Sequence, residues 1–319
     1  MNKIYKSKWS RVTQTWVATS ELTKGMGKAA AVVSLMALSN SAFAADCVAA
    51  ADGSYLPGNT IPSCNNVVAA TTTQSGGAGY YILTRSRLHE TLTVGDTVVT
   101  ANVTGGYGGI GNQYATGASG AAINTGNLTF NVKANGGVRG IGTHSNVNMT
   151  TKNVILNLTD NYTAGNSSGV VEQYGVLTGS TVDSGEGATY NGQYSTITTE
   201  NLTINQTATG GWFNPILNNG IRAIQGANQN LGNGSAGQVI VNGNLDMTLT
   251  GNRSIGIYVS GNQSNHGDAT AAGANGSLTP KVILNGDANI TINKGTDTSF
   301  IDWDSHGIKL GKIRYAGEG

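Results

Sequence analysis

Few residue types in this chain are spaced as chemistry would need them. Gly106-Tyr107-Gly108-Gly109-Ile110-Gly111 has the glycine spacing that cradles a pyrophosphate, but such a site needs a helix directly after it. The following GNQYATGASGAAINTG carries no helical pattern, so the segment is predicted to be a turn. Asp302-Trp303-Asp304-Ser305-His306-Gly307 begins like a calcium-binding loop, yet its twelfth position is Ile313, where a bidentate glutamate is needed. A solvated corner is the expectation there. A nucleophilic serine needs a histidine base oriented by a carboxylate. Asp183-Ser184 is preceded by only two histidines, His89 in SRLHE and His144 in GTHSN. No catalytic residue, cofactor or metal ligand is assigned on these grounds, and no enzyme is expected.

Cys47 and Cys64 are the only cysteines, with sixteen residues between them. No histidine or base neighbours either one in sequence, so neither is set up as a reactive thiolate. In an oxidising compartment they are expected to form a disulfide, contributing roughly 3 kcal/mol by loop closure. Two unpaired thiols are the alternative. Asn-x-Ser/Thr triplets recur, Asn102, Asn127, Asn157, Asn201 and Asn289 among them. A chain rich in Asn and Thr produces these by composition, and they are acceptors only where a dedicated glycosyltransferase acts.

Short strands must position whatever the surface does. NLTFNV puts Leu128, Phe130 and Val132 on one side, and NVILNL does the same with Val154, Leu156 and Leu158. NLDMTL repeats this with Leu245, Met247 and Leu249, and ANITI with Ala288, Ile290 and Ile292. Period-two alternation between Gly and Asn breaks is the strand signature. Segments starting at Gly126, Glu200, Gly243 and Gly286 align without gaps, the last three at a constant interval. A second strand type follows in Asn219-Gly220-Ile221, Ser254-Ile255-Gly256-Ile257-Tyr258-Val259 and Ser305-His306-Gly307-Ile308-Lys309-Leu310. Internal repetition predicts a stacked architecture. A propeller is the rival, but its Trp-Asp and Gly-His signatures do not recur at the interval. An all-β solenoid, the parallel β-helix, accounts for the composition. Gly and Asn turn its corners, and Asn and Thr can form hydrogen-bond ladders along its axis.

A leader precedes the strands. Ala29 to Leu38 is apolar but for Ser34, and Ser39 to Ala44 closes on Ala42-Phe43-Ala44. This is the form of a helical signal peptide cleaved between Ala44 and Ala45. Ahead of it stand 28 mostly polar residues with Lys3, Lys6, Lys8 and Arg11 at the front. Trp9, Val12 and Trp16 fall at helical spacing, which predicts an induced helix with both indoles at a bilayer interface. Initiation at Met26 would leave a smaller signal peptide, but the ordered upstream residues argue against it.

The leader also resembles a known family. MNKIYK (Asn2, Lys3, Tyr5), Trp9, and the run Trp16-Val17-Ala18-Thr19-Ser20-Glu21-Leu22-Thr23-Lys24-Gly25 are similar to the extended signal peptide region of Gram-negative type V secretion proteins. That family, of autotransporters and two-partner exoproteins, has a core reading roughly WVAVSELAKG. Thr19 and Thr23 depart from it. The resemblance implies Sec export, signal peptidase cleavage, slowed inner-membrane translocation and an outer-membrane translocator barrel. It further implies a passenger folded as a right-handed parallel β-helix, with coils of roughly 20–25 residues. On that coil length the mature chain would hold ~12 coils in a rod of about 60 Å. Asp183-Ser184-Gly185 is similar to the nucleophile sequence of trypsin-like proteases that some autotransporters carry, with Val182 at the usual glycine. Phe213-Asn214-Pro215-Ile216-Leu217-Asn218-Asn219-Gly220-Ile221 is faintly similar to the Asn-Pro motifs of exoproteins. No barrel segment follows KIRYAGEG, so a fragment, or a separately encoded pore, is expected.

The expected organisation is an extended signal region over 1–28, the apolar core and cleavage region over 29–44, a cap over 45–70 and a β-helical passenger over 71–319. The leader to Ala44 carries six basic residues and one acidic one, which leaves the mature part 12 bases and 16 acids, a net charge of −4. A nucleic-acid binder would show a basic stripe instead. The reading is an exported, surface-exposed or secreted passenger acting as a structural or adhesive module toward a host-surface or cell-cell ligand. The alternatives are the N-terminal region of a two-partner exoprotein and an exported protease or polysaccharide-active β-helix.

Overall fold

The computed structural model describes residues 5–10, 15–20, 46–47, 66–67, 71–77, 79–84, 91–112, 122–143, 147–161, 172–179, 194–209, 217–224, 236–251, 253–260, 280–295 and 305–310. The chain divides into two compact units, Met1–Ala44 and Ala45–Gly319. In the first, β1 (Tyr5–Ser10) and β2 (Thr15–Ser20) form an antiparallel ribbon with Trp9 opposite Trp16. These residues are extended chain in the absence of a bilayer, while the helix expected through Trp9 and Trp16 is one that a membrane interface would induce. YKSKWS and TWVATS are rich in aromatic, β-branched and serine residues, which favour paired strands over an isolated helix. The apolar segment 29–44 lies outside the described residues.

Among its described residues, strands are the only regular elements of the second unit. After β3 (Asp46–Cys47) come β4 (Asn66–Val67), β5 (Thr71–Gly76) and β6 (Gly79–Thr84), which make one coil. Coil 2 holds β7 (Leu92–Val94), β8 (Thr97–Val103) and β9 (Tyr107–Asn112); coil 3 holds β10 (Ala122–Thr125), β11 (Leu128–Ala134) and β12 (Val138–Thr143). Coil 4 holds β13 (Asn148–Thr150), β14 (Val154–Asp160) and β15 (Glu172–Thr178). Coil 5 holds β16 (Tyr194–Thr199), β17 (Leu202–Ala208) and β18 (Leu217–Ile224). Coil 6 holds β19 (Ala236–Val241), β20 (Leu245–Thr250) and β21 (Ser254–Ser260); coil 7 holds β22 (Lys281–Leu284), β23 (Ala288–Asn293) and β24 (His306–Leu310). The first, second and third strands of successive coils form sheets 1, 2 and 3, with β3 added to sheet 1. Within these sheets every neighbouring pair is parallel and one coil apart. The chain is a parallel β-helix with no helix among its described residues. The right-handed winding expected is the hand that parallel crossovers almost always take.

The coils are longer and fewer than the sequence suggests. Leu202 lies beside Leu245, and Leu245 beside Ala288, so the repeat interval of 43 residues is one coil, where coils of the expected length would have made it two. Other coils advance by 26, 31 or 48 residues. In coils 2 to 7 the corner between sheets 1 and 2 is only two or three residues wide. The length variation falls in the connections after sheets 2 and 3, where inserted loops leave the ladders undisturbed. Seven coils at ~4.8 Å give an axis of about 30 Å, half the expected rod.

Inside, like residues stack in columns. Phe130, Leu156, Ile204 and Met247 descend sheet 2, and Ile110, Ile141, Val176, Ile221 and Ile257 descend sheet 3; all are buried. Tyr81 and Tyr107 meet Phe130 edge-on, with ring centroids 5.8 and 6.5 Å away. Sheet 3 also carries a glycine column, Gly109, Gly140, Gly175, Gly220 and Gly256. A Cβ on Gly140 would sit 2.8 Å from Leu156 Cδ1, and one on Gly175 2.8 Å from the Gly220 carbonyl. The column lets sheet 3 close onto the inner side chains of sheet 2. Its first member lies in the glycine-rich segment predicted to be a turn. From Tyr107 onward that segment is instead strand β9, so Gly108, Gly109 and Gly111 lie within a strand, while Gly106 stays in the corner between β8 and β9.

Candidate functional site

Strand alternation divides the side chains of sheet 2 into an inner and an outer set. Down the middle of the outer face run Thr73, Thr100, Asn131, Asn157, Asn205, Thr248 and Thr291. Toward sheet 1 lie Val98, Thr129, Ile155, Thr203, Asp246 and Asn289, and on the other flank Ser75, Asn102, Lys133, Thr159, Thr207, Thr250 and Asn293. All are exposed or half-buried. The face is held in register by its own amides: Asn157 Nδ2 donates to Asn131 Oδ1 at 2.8 Å, and Asn205 Nδ2 to Asn157 Oδ1 at 2.9 Å. Such ladders fix side chains that would otherwise be free to rotate, so a partner meets a preordered surface. Lys133 and Asp246 are its only charged side chains among the described residues.

A second ladder borders this face at the tight corner. Asn127 donates its backbone N–H to Asp96 Oδ1 at 2.7 Å and its Nδ2 to the same oxygen at 3.2 Å. Asn153 Nδ2 donates to Asn127 Oδ1 at 2.9 Å, and Asn201 Nδ2 to Asn153 Oδ1 at 2.8 Å. The backbone N–H groups of Asn244 and Asp287 then donate to Asn201 and Asn244 Oδ1, at 2.8 and 3.2 Å. The ladder thus joins six coils. Hydrogen bonds from the backbone and side chain of Asn127, with Lys152 nearby, hold the exposed Asp96 carboxyl below its ordinary range.

Sheet 3 differs from sheet 2 in having large outward side chains buried in coils 4 to 6. Arg222 lies between the inward Ile221 and Ala223, hence on the outer side, yet it is fully buried. Its guanidinium stands 5.4 Å from the Tyr174 ring and 5.5 Å from that of Tyr258, and Nη1 donates to the Tyr174 hydroxyl at 2.7 Å. Tyr174, Leu177 and Ile224 form a separate apolar cluster. Inside the coil, Gln206 Nε2 donates to Asn218 Oδ1 at 2.7 Å, and Asn218 Nδ2 to Ser254 Oγ at 3.0 Å.

Those residues singled out in the sequence that the structure describes are spread over separate strands and the corners between them. Tyr5 and Trp9 lie in β1, Trp16 in β2 and Cys47 in β3. Asn2, Lys3, Glu21, Lys24, Ala42, Ala44, Ala45 and Cys64 lie outside the described residues, as do His89, His144, Asp183, Ser184, Asp302 and Asp304. His306 opens β24 and is exposed. Asn127 and Asn201 belong to the corner ladder and Asn157 to the face ladder, while Asn102 and Asn289 point outward from sheet 2. Sequence reasoning missed the Arg222 cluster altogether. The ladder had a signal, an Asn directly before Leu128, Leu202 and Leu245, but its chemistry appears only when coils are stacked.

Residues 1–50 match the family model described as the Extended Signal Peptide of Type V secretion system. Comparison with curated proteins gave no match, and comparison with solved structures gave none either.

Proposed function

From an N-terminal part that is that of a type V secretion protein, we propose that the β-helix is the exported passenger and acts as a non-enzymatic adhesive module. Type V secretion entails Sec export in a Gram-negative bacterium and passage through an outer-membrane translocator, toward the outer membrane or extracellular space. The observation that carries the adhesive reading is the outer face of sheet 2. It is exposed, nearly neutral and lined largely with hydroxyl and amide groups, of which Asn131, Asn157 and Asn205 are ordered by their own ladder. Such a face offers many weak hydrogen bonds over a broad area. Its geometry suits contact with another surface better than enclosure of a small substrate, for which concave pockets are the rule.

The test is display of the chain on a Gram-negative cell, with attachment to epithelial cells and to bare polystyrene measured against a strain lacking it. Attachment should depend on the chain and survive both Ser184→Ala and His306→Ala. Attachment equal to the control would defeat the adhesive reading. Its loss on Ser184→Ala alone would favour a protease.

A further inference from the structure

We propose that the outer face of sheet 2 binds the same face of a second copy of this chain, with Lys133 of each copy set against Asp246 of the other; this rests on the adhesive reading and names its partner. Amides and hydroxyls both donate and accept, so a Thr/Asn face is its own chemical complement, and no uniform charge opposes the approach. The two charges sit at diagonally opposite positions. Lys133 is in coil 3 on the flank away from sheet 1, and Asp246 is in coil 6 on the flank toward it. They are separated by about 14 Å along the axis (three coils) and about 13 Å along the strands (four residues). A two-fold axis lying in the contact plane and bisecting that diagonal exchanges the two positions. Both Lys–Asp pairs then form at once, as an isologous contact requires. The same axis passes through the centre of the face, between Asn157 and Asn205, so the asparagine ladders of the copies cross there. Because the diagonal is nearly at 45° to the coil axis, the two rods meet roughly at right angles.

The area sets the strength. Sheet 2 measures about 30 Å by about 20 Å, and two such faces crossed at right angles overlap over roughly 400 Å² per copy, ~800 Å² in total, below the size of stable specific interfaces. Pairing in solution is therefore weak and transient. Between two surfaces bearing many copies, the contacts act together and hold.

The experiment coats beads with the exported chain purified from the displaying strain and measures clumping by light scattering. Wild-type beads should clump. Asp246→Lys sets lysine against lysine and Lys133→Asp sets aspartate against aspartate, so beads of either variant should clump about tenfold less. Mixing the two kinds restores both pairings, and mixed clumps should return to near the wild-type level. Both substitutions are outward-facing, and unchanged thermal melts confirm that folding is intact. Clumping that ignores the single substitutions, or does not return in the mixture, overturns the proposal. Wild-type beads that attach to epithelial cells without clumping would overturn it too, while leaving the adhesive reading in place.

Discussion

Tyr107 shows how one atom inside the coil sets stability. Its ring is buried against Phe130, and its hydroxyl has no hydrogen-bond partner among the described residues. Burial, reinforced by Tyr81, raises its pKa above the ordinary value. An unsatisfied buried hydroxyl carries a desolvation cost, so Tyr107→Phe is expected to stabilise by up to about 1 kcal/mol. Tyr81→Phe should do the opposite, because the Tyr81 hydroxyl pairs with Thr97 Oγ1 at 3.2 Å. Urea denaturation of the two variants tests this, and a destabilised Tyr107→Phe would contradict the placement of that ring. The pH dependence has a definite sign. The folded pKa is raised, so the unfolded chain releases its proton first, near pH 10. Tyr107 therefore gives its full contribution below about pH 10 and loses it as pH climbs toward the folded pKa. Above pH 10, wild type should lose stability faster than Tyr107→Phe.

Elements are joined here by ladders, and the two asparagine ladders differ in what they do. Asn201 donates to Asn153 and accepts from the backbone N–H of Asn244, so it ties three coils at a corner. Asn201→Ala is expected to cost about 1–2 kcal/mol, the sum of two exposed hydrogen bonds. Asn201→Asp should recover part of this, since it still accepts from Asn244. Equal melting temperatures for wild type and Asn201→Ala would show that the corner ladder adds nothing. Much at this scale was legible in the sequence. Alternation placed Leu128, Phe130, Val132, Val154, Leu156 and Leu158 inward, and all are buried. The aligned Gly-Asn-Leu starts marked the corner and the beginning of sheet 2. Coil length was not legible, because a periodic interval counts inserted loops together with strands. The leader ribbon was not legible because the cross-strand pair Trp9–Trp16 depends on where the turn falls. Arg222 was unreadable for a related reason: its tyrosine partners lie in coils 4 and 6, brought beside it only by stacking.

At the scale of the molecule, a solenoid has no contacts between distant parts. Each coil touches its neighbours, so stability is a sum of local terms and interface terms. The central coils have a neighbour on both sides and their inward residues are buried. In coil 7 the inward residues are more open: Ile290 and Ile292 are only partly buried, and Ile308, in register with the buried Ile257, is 61% exposed. Leu310 is 74% exposed. Opening free energy should therefore vary along the axis rather than being uniform. Amide hydrogen exchange is expected to show the slowest backbone N–H groups in β11, β14, β17 and β20 and much faster ones in β22 to β24. Removing a buried methyl group in the middle, as in Ile204→Val, should cost about 0.5–1.5 kcal/mol and speed exchange in coils 4 to 6 more than in coil 2. The same change at Ile308 should leave the central coils untouched. Uniform protection from coil 2 to coil 7, or an Ile308→Val effect that reaches β11, would mean that the rod unfolds as a single cooperative block and that the nearest-neighbour account of it is wrong.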